Sequence, residues 1–245
     1  MKKILILFVC IALLPLVSSS TLNWKIGDYW KYEITYVITH FQEERKYVQE
    51  MKVIGKENVS FYGKNYFAYK VEINESNETL LGFYRVGDLA YIGSVYDNIT
   101  ITVSEPPLEG YKFLETGKKW NQSVKLIQNV LGKIRNTSIV VYHKCLGKEK
   151  IKTRAGEFEC YKIKVCSCLS NHSNLTNGYT IEYFSPSIKN VVLSISYRDG
   201  EIVKRKELID TSYRRNHGTP SFTLFMLILS ICIVSLLIRK KLRSS

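Results

Sequence analysis

The chain has 245 residues, of which 45% are hydrophobic and 23% charged, and its formal net charge is +13. Between Thr21 and Pro220 there are 29 basic and 22 acidic residues, so the net charge of that stretch is only +7. Basic and acidic residues are mixed along it, as on a solvated surface, and the composition therefore argues against nucleic acid as a partner.

The first 20 residues are predicted to be a secretory signal peptide. Lys2 and Lys3 precede an apolar run at 4–17, and a short polar run at 18–21 follows. A basic start, a short apolar centre and a small-residue exit are the three parts of such a signal. The apolar run is also shorter than the roughly 20 residues that a membrane span needs. We therefore expect export, with cleavage between Ser18 and Leu22.

Residues 21–212 are predicted to form one β-rich extracellular domain. From Trp30 to Ile38, apolar and polar residues alternate, which is typical of a half-buried strand. Turn residues separate many of the later segments, and Asp199-Gly200 is a strong hairpin signal. Similar strand-like segments recur at 46–54, 65–73, 80–86, 89–96, 99–104, 123–130, 137–146, 158–167, 179–184, 190–197 and 201–209.

These segments predict the fold class. About twelve short strands with little helical periodicity imply a mainly β protein with one antiparallel sheet system and a substantial core. Pro106-Pro107 and the loop through Thr116 could divide the sheet into two halves. We interpret the pattern as one curved antiparallel sheet or an open half-barrel, followed by a single C-terminal transmembrane helix.

Asn-x-Ser/Thr triplets, the acceptors of N-linked glycans, are more frequent than the composition predicts. This excess supports an extracellular surface that carries glycans. The alternative is a polar loop composition without modification. The eight triplets begin at Asn58, Asn74, Asn77, Asn98, Asn121, Asn136, Asn171 and Asn174.

Four cysteines lie in the part of the chain that is predicted to be exported: Cys145, Cys160, Cys166 and Cys168. Clustered cysteines in an oxidising compartment are typical of one or two disulfides. A hairpin with Thr153 opposite Phe158 would bring Cys145 opposite Cys166. Facing residues of paired strands can lie within disulfide reach, so we favour the pair Cys145–Cys166 and leave the other connectivities open.

The C-terminal part is predicted to anchor the domain. Residues 213–221 form a juxtamembrane linker, the uncharged apolar run 222–238 is long enough to span a bilayer as a helix, and the basic tail 239–245 marks the cytoplasmic side. Pro220, Ser221 and Phe222 before the apolar run also resemble the sorting signals of archaeal surface proteins, in which the helix is removed. Retention and processing of the helix both stay open.

Several short motifs follow one another in order along the domain. They are Gly27-Asp28-Tyr29-Trp30, Gly117-Lys118-Lys119-Trp120, the hairpin segment 151–163 and the segments 183–186 and 190–192. In this order they resemble a group of poorly characterised exported domains of archaea and bacteria, similar in fold to the half-barrel of bacterial lipoprotein carriers. The resemblance covers roughly residues 24–210 and implies no catalytic residues.

Sequence motifs for catalysis, cofactors and metals are absent. The chain has no Gly-x-Ser-x-Gly elbow, phosphate loop, Gly-x-Gly-x-x-Gly or His-Glu-x-x-His. A zinc site formed by the cysteines with His143 and His172 is the alternative, but Cys166 and Cys168 are closer in sequence than the ligand pairs of structural zinc sites. We predict no catalytic, cofactor-binding or metal-binding residue and no enzymatic activity.

Two functions remain for such a domain. The first is a binding or surface-structural role, in which Tyr32, Tyr36 and Phe41 help to enclose an apolar or lipid ligand. The second is a role as accessory subunit of an envelope or transporter complex, with another envelope protein as partner. A hydrolase with an unrecognised site is a third and weaker alternative.

Overall fold

The computed structural model describes residues 22–38, 43–97, 100–111, 113–169 and 178–213. Within them the chain forms twelve β-strands, and β2 and β8 are the longest, with 19 and 21 residues. The strands are β1 (Tyr29–Ile38), β2 (Glu43–Phe61), β3 (Lys64–Glu75), β4 (Glu78–Arg85), β5 (Tyr91–Tyr96), β6 (Thr100–Leu108), β7 (Lys119–Val130), β8 (Lys133–Thr153), β9 (Gly156–Leu169), β10 (Gly178–Ser185), β11 (Asn190–Arg198) and β12 (Glu201–Thr211).

The strands form one closed antiparallel barrel. Each strand pairs with its neighbours in sequence, and β1 pairs with β12 from Trp30 opposite Thr211 to Tyr36 opposite Lys204. The prediction of a mainly β fold is confirmed, whereas the prediction of an open half-barrel or curved sheet is wrong. Alternation along a strand indicates which of its faces is buried, but not which strand lies beside it, so the sequence pattern could not show that the two edge strands meet.

The segments predicted at the two ends of the chain are not among the described residues. In the ranges given above, no helix has the length and apolar character needed to cross a membrane. The predicted signal peptide at 1–20, the transmembrane helix at 222–238 and the basic tail at 239–245 lie outside the described residues.

Alternate residues of β1 build the barrel interior. Trp30, Tyr32 and Ile34 point inward and are at most 1% exposed. Trp30 lies opposite Met51 of β2, and Tyr32 lies opposite Leu208 of β12, so the core residues of three adjacent strands meet. Full burial of an aliphatic or aromatic side chain stabilises a fold by about 2 kcal/mol. The interior continues with Val53, Tyr69, Val71 and Ile73.

Trp24, which precedes β1, closes one end of the barrel. Its ring centroid lies 5.0 Å from that of Trp30 and 5.7 Å from that of Tyr69. Its Nε1 donates a hydrogen bond to the carbonyl oxygen of Lys189 at 3.0 Å. Trp24 is therefore held by both packing and a hydrogen bond, and aromatic side chains fill this end of the lumen.

The barrel consists of two similar halves, β1–β6 and β7–β12. The segment before β1 and the segment before β7 make the same backbone hydrogen bonds. The amide of Gly27 donates to Val53 at 2.8 Å, and the amide of Gly117 donates to Cys145 at 2.9 Å. In each half the register then shifts within the long strand, between Val53 and Gly55 in β2 and between Cys145 and Gly147 in β8.

Side-chain contacts repeat as well. A lysine lies over a tyrosine ring in each half, Lys56 over Tyr69 at 4.7 Å and Lys148 over Tyr161 at 4.9 Å. An ion pair crosses the same two strands in each half, between Lys70 and Glu57 and between Lys162 and Glu149. The halves therefore share backbone irregularities and surface contacts, which makes their remaining differences informative about function.

The two long hairpins fold over the outside of the barrel. At the turn between β8 and β9, Arg154 reaches Glu33 of β1 with an N–O distance of 2.7 Å. At the turn between β2 and β3, Lys64 forms an ion pair with Glu105 of β6. In the first hairpin Val59, Phe61 and Tyr66 pack against the cluster of Ala68, Phe83 and Ile92, and in the second Ile151 and Ala155 pack against the main core cluster.

The described part of the chain from residue 22 to 213 contains both strands that close the barrel, together with the core. No strand edge of this barrel is left without a neighbour. A unit that folds independently needs its own hydrophobic core and a hydrogen-bonded neighbour for each strand edge. Residues 21–213 therefore provide a unit for binding experiments.

Replacement of Gly93 by alanine tests the close contact between β5 and β6. A Cβ atom at Gly93 would lie 2.5 Å from the carbonyl oxygen of Thr102 and 3.2 Å from Cα of Val103, so the strands would have to separate. We expect Gly93→Ala to lower the free energy of unfolding by about 2 kcal/mol, measured by urea denaturation. Gly110→Ala is the control, because nothing lies within 4 Å of that position. Equal losses for both variants would contradict the contact.

Candidate functional site

A cavity of about 770 Å³ occupies the barrel end opposite Trp24. Val165, Thr180 and Ser196 are partners on β9, β10 and β11 and face it together. The Thr180 and Ser196 hydroxyl oxygens are 3.0 Å apart. Apolar side chains provide much of the remaining wall: Leu108, Ile139, Val141 and Val203. The volume is within the range of pockets that hold small molecules.

Charged side chains lie one step deeper along the same inward face. Two residues beyond Thr180 and Ser196, Glu182 of β10 lies opposite Ser194 of β11, and Ser194 lies opposite Lys206 of β12. Residues two apart on a strand share a face. The inward face of these strands therefore leads from the hydroxyl groups at the cavity to a row of Glu182, Ser194 and Lys206.

Lys206 is a lysine inside the barrel. Its Nζ donates a hydrogen bond to Oε1 of Gln49 at 2.8 Å and lies 4.1 Å from the centroid of the Tyr32 ring. Desolvation by burial lowers the pKa of Lys206 to about 8, and repulsion from Lys204 adds to this, while Glu182 acts in the opposite direction. Part of the surface of Lys206 is exposed to solvent.

Glu182 is held by a residue of the connection between β6 and β7. The hydroxyl of Tyr111 donates a hydrogen bond to Oε2 of Glu182 at 3.0 Å, and the Tyr111 ring stacks on Phe184 with centroids 4.0 Å apart. Burial raises the pKa of Glu182, although the Tyr111 hydrogen bond and the charge of Lys206 counteract the effect. The carboxyl group therefore occupies a fixed and strongly desolvated position.

The matching positions of the first half carry no charge. There Gly82 lies opposite Ser94, and Ser94 lies opposite Thr102, where the second half has Glu182, Ser194 and Lys206. Burial of a charged group costs free energy unless partners compensate it. The first half forms a similar set of six strands without these charges, and this difference makes the row our candidate functional site.

The sequence pattern did not predict this row. Lysine and glutamate in an alternating strand are usually on the solvent side, and β10 and β12 gave no reason to assign Glu182 and Lys206 to the interior. The signal that could have found them is the comparison of the two halves, which requires their strand register. Three aromatic residues were expected to enclose a ligand. Tyr32 is buried inside the barrel and Tyr36 is 37% exposed, while Phe41 lies outside the described residues.

The cysteines do not lie as the predicted register requires. Thr153 lies opposite Gly156, and Cys145 opposite Ile163, so the expected facing pair of Cys145 and Cys166 is wrong. A two-residue turn and the irregularity after Cys145 shift the register by an odd number, which reverses the faces. All four cysteines, Cys145, Cys160, Cys166 and Cys168, are free thiols in the structure. Among the described residues there is no group of metal-ligating side chains.

The predicted glycan acceptors differ in their surroundings. Asn58, Asn77, Asn121 and Asn136 are exposed. Asn74 is half-buried, and its amide donates a hydrogen bond to Glu72 at 3.0 Å. Their modification stays a prediction, and Asn98, Asn171 and Asn174 lie outside the described residues.

Trp120 and His143 form a second interior feature. Their rings stack with centroids 4.9 Å apart and an angle of 2°. In the first half the corresponding pair is Trp30 opposite Met51. Burial lowers the pKa of His143 to about 4, and its Nδ1 has no hydrogen-bond partner in the described ranges. The imidazole is therefore neutral in the fold at neutral pH.

Comparison with known proteins shows a likeness in fold only. The sequence matches no protein-family model and no curated protein. A solved structure from Bacteroides fragilis, described as a candidate exported protein with a YmcC-like fold, has 14% identity and a TM-score of 0.50, covering 78% of this chain and 97% of its own. The two chains share a fold over that range.

Two further structures are similar over comparable lengths. A candidate lipoprotein of Parabacteroides distasonis has 13% identity and a TM-score of 0.43, covering 78% of this chain and 97% of its own. The hypothetical lipoprotein YmcC of Escherichia coli has 11% identity and a TM-score of 0.40, covering 83% and 94%. The likeness of this chain to lipoprotein carriers stays a prediction.

Replacement of His143 by methionine, the residue at the corresponding position Met51 of the first half, tests whether the buried imidazole is neutral in the fold. The unfolded chain binds a proton at His143 below pH 6.5, but the fold resists protonation down to about pH 4. Stability from this group is therefore lost as the pH falls through that window. We expect wild type to lose about 2 kcal/mol more than His143→Met between pH 6.5 and 4, measured by urea unfolding at each pH. Parallel pH profiles of the two proteins would contradict the assignment.

Proposed function

We propose that this chain is a non-enzymatic, extracytoplasmic binding domain whose barrel lumen holds an apolar or lipid ligand. The observation that carries the proposal is the cavity of about 770 Å³ at one barrel end. A cavity with apolar walls and a few converging polar groups is the usual form of a small-molecule site. A flat exposed apolar patch, in contrast, would favour an accessory subunit of a larger complex.

The shape of the lumen supports a ligand that enters from one side. Trp24 and Trp30 fill the opposite end, where Nε1 of Trp30 donates to the carbonyl oxygen of Ile188 at 2.9 Å. The cavity is bordered by the first residue of β10, Gly178, and by Arg198 and Asp199 at the turn between β11 and β12. An elongated apolar group would enter past this turn and stop at the charged row.

A cavity-filling substitution tests ligand binding. In Thr180→Phe a bulky ring occupies the cavity wall, whereas Thr79→Phe adds the same ring at an exposed position of β4. We expect dodecyl-chain amphiphiles to bind residues 21–213 and the Thr79→Phe control with equal affinity. Thr180→Phe should bind them at least tenfold more weakly in titration calorimetry. Binding that is equal in all three proteins would exclude the cavity as the site.

The proposal includes the location of the domain outside the cytoplasm, attached to a membrane by the apolar segment 222–238. Three observations support it: the signal-like first 20 residues, the eight glycan-acceptor triplets and the shared fold with a candidate exported protein.

Surface labelling tests the location. We expect a membrane-impermeant amine reagent added to intact cells to modify the exposed Lys144 in the full-length protein, detected by peptide mass spectrometry, because the reagent reaches only the outer side. A cytoplasmic protein of the same cells is the control and should stay unlabelled. Modification of Lys144 only after cell lysis would contradict export.

A further inference from the structure

The environment of Lys206 defines what the inner end of the lumen can bind. An ammonium group has three hydrogen-bond donors, and Gln49 supplies the only oxygen acceptor that the described residues offer it, at 2.8 Å. The other close groups are the face of the Tyr32 ring at 4.1 Å and the sulfur of Met51 at 4.0 Å. No carboxylate of the described residues forms an ion pair with Lys206.

The acidic groups of the lumen are engaged elsewhere. Glu75 accepts a hydrogen bond from the amide of Gln49, which separates it from Lys206. Glu182 accepts from Tyr111 at 3.0 Å and lies two strands away from Lys206, with Ser194 between them. Two strand spacings between the backbones are about 9.6 Å, and the two charged groups affect each other electrostatically without forming an ion pair among the described residues.

We propose that the ligand of the lumen is an amphiphile with an anionic head group, a carboxylate or a phosphate ester, which pairs with Lys206 beside Ser194 while its apolar chain fills the cavity. This inference rests on the proposed function and specifies the ligand of the same site. A buried cation with incomplete hydrogen bonding gains most from an anionic partner. The uncharged row of the first half, Gly82, Ser94 and Thr102, offers no such group.

Three ligands with the same dodecyl chain separate the head group from the chain. Dodecanoate carries a carboxylate, dodecyl phosphate carries a phosphate ester, and dodecanol carries neither. We expect residues 21–213 to bind at least one of the anionic ligands at least tenfold more tightly than dodecanol in native mass spectrometry and titration calorimetry. Comparison of the two anions identifies which head group the site prefers.

Substitution of Lys206 identifies the residue responsible. Lys206→Met should reduce the affinity for the preferred anion at least tenfold and leave dodecanol binding unchanged, and Lys206→Arg should retain the preference for an anion. Lys144→Met, which removes an exposed lysine from β8, is the control and should behave as wild type. Thermal unfolding of each variant verifies that the barrel is intact.

The pH dependence provides a second measurement. Lys206 is protonated below a pKa of about 8, so dodecanoate affinity should fall as the pH rises from 7 to 9.5 in wild type and stay constant in Lys206→Met. The other titratable groups that face Lys206 are Glu182 of β10, Glu75 of β3, Lys204 of β12 and Tyr32 of β1. Burial raises the pKa of the Glu182 carboxyl and raises the pKa of the Tyr32 hydroxyl well above its ordinary value.

The outcomes separate the two proposals. Equal binding of dodecanol and both anions, or unchanged anion binding by Lys206→Met, would overturn the anionic head group while the apolar cavity stands as the site. Absence of binding for all three ligands would overturn the cavity function itself, and the inference with it.

Discussion

The pairing of β1 with β12 is the constraint on which the rest of the structure depends. It joins residues near the beginning of the described chain to residues near its end and removes both edges of the sheet. Closure also determines that one face of every strand points into a lumen, so each inward residue must fit an enclosed space. Trp30 and Tyr32 can then be completely buried, and Glu182 and Lys206 become interior charges although they lie on strands with a mixed pattern.

The lumen changes character along its length. Aromatic side chains around Trp24 fill one end, the charged row lies in the middle, and the cavity lies at the other end. Burial of a charged side chain in the lumen costs free energy because the charge loses its hydration. The hydrogen bonds from Tyr111 to Glu182 and from Lys206 to Gln49 offset only part of that free-energy cost. Charged groups that lack a full set of hydrogen-bond partners in the protein are suited to bind a ligand that supplies the missing partners.

The positions of the strands could be predicted from the sequence, but their register and the closure of the barrel could not. Alternation located all twelve strands, although it gave only the inner parts of β2 and β8. The register of the strands could not be predicted, because the irregularity after Cys145 reversed the face of Cys145 relative to Cys166. Closure and the interior position of Lys206 follow from contacts between distant segments, which no local pattern contains.

The repetition of six strands in two halves has a consequence for how a binding site can arise. Two identical copies of a six-strand unit, paired around a twofold axis, could build a barrel of this kind, but each change inside it would occur twice. In a covalently joined pair the copies can diverge separately. One wall can then acquire Glu182 and Lys206 while the opposite wall retains Gly82 and Thr102. Fusion thus allows an asymmetric lumen, which can orient a ligand whose two ends differ.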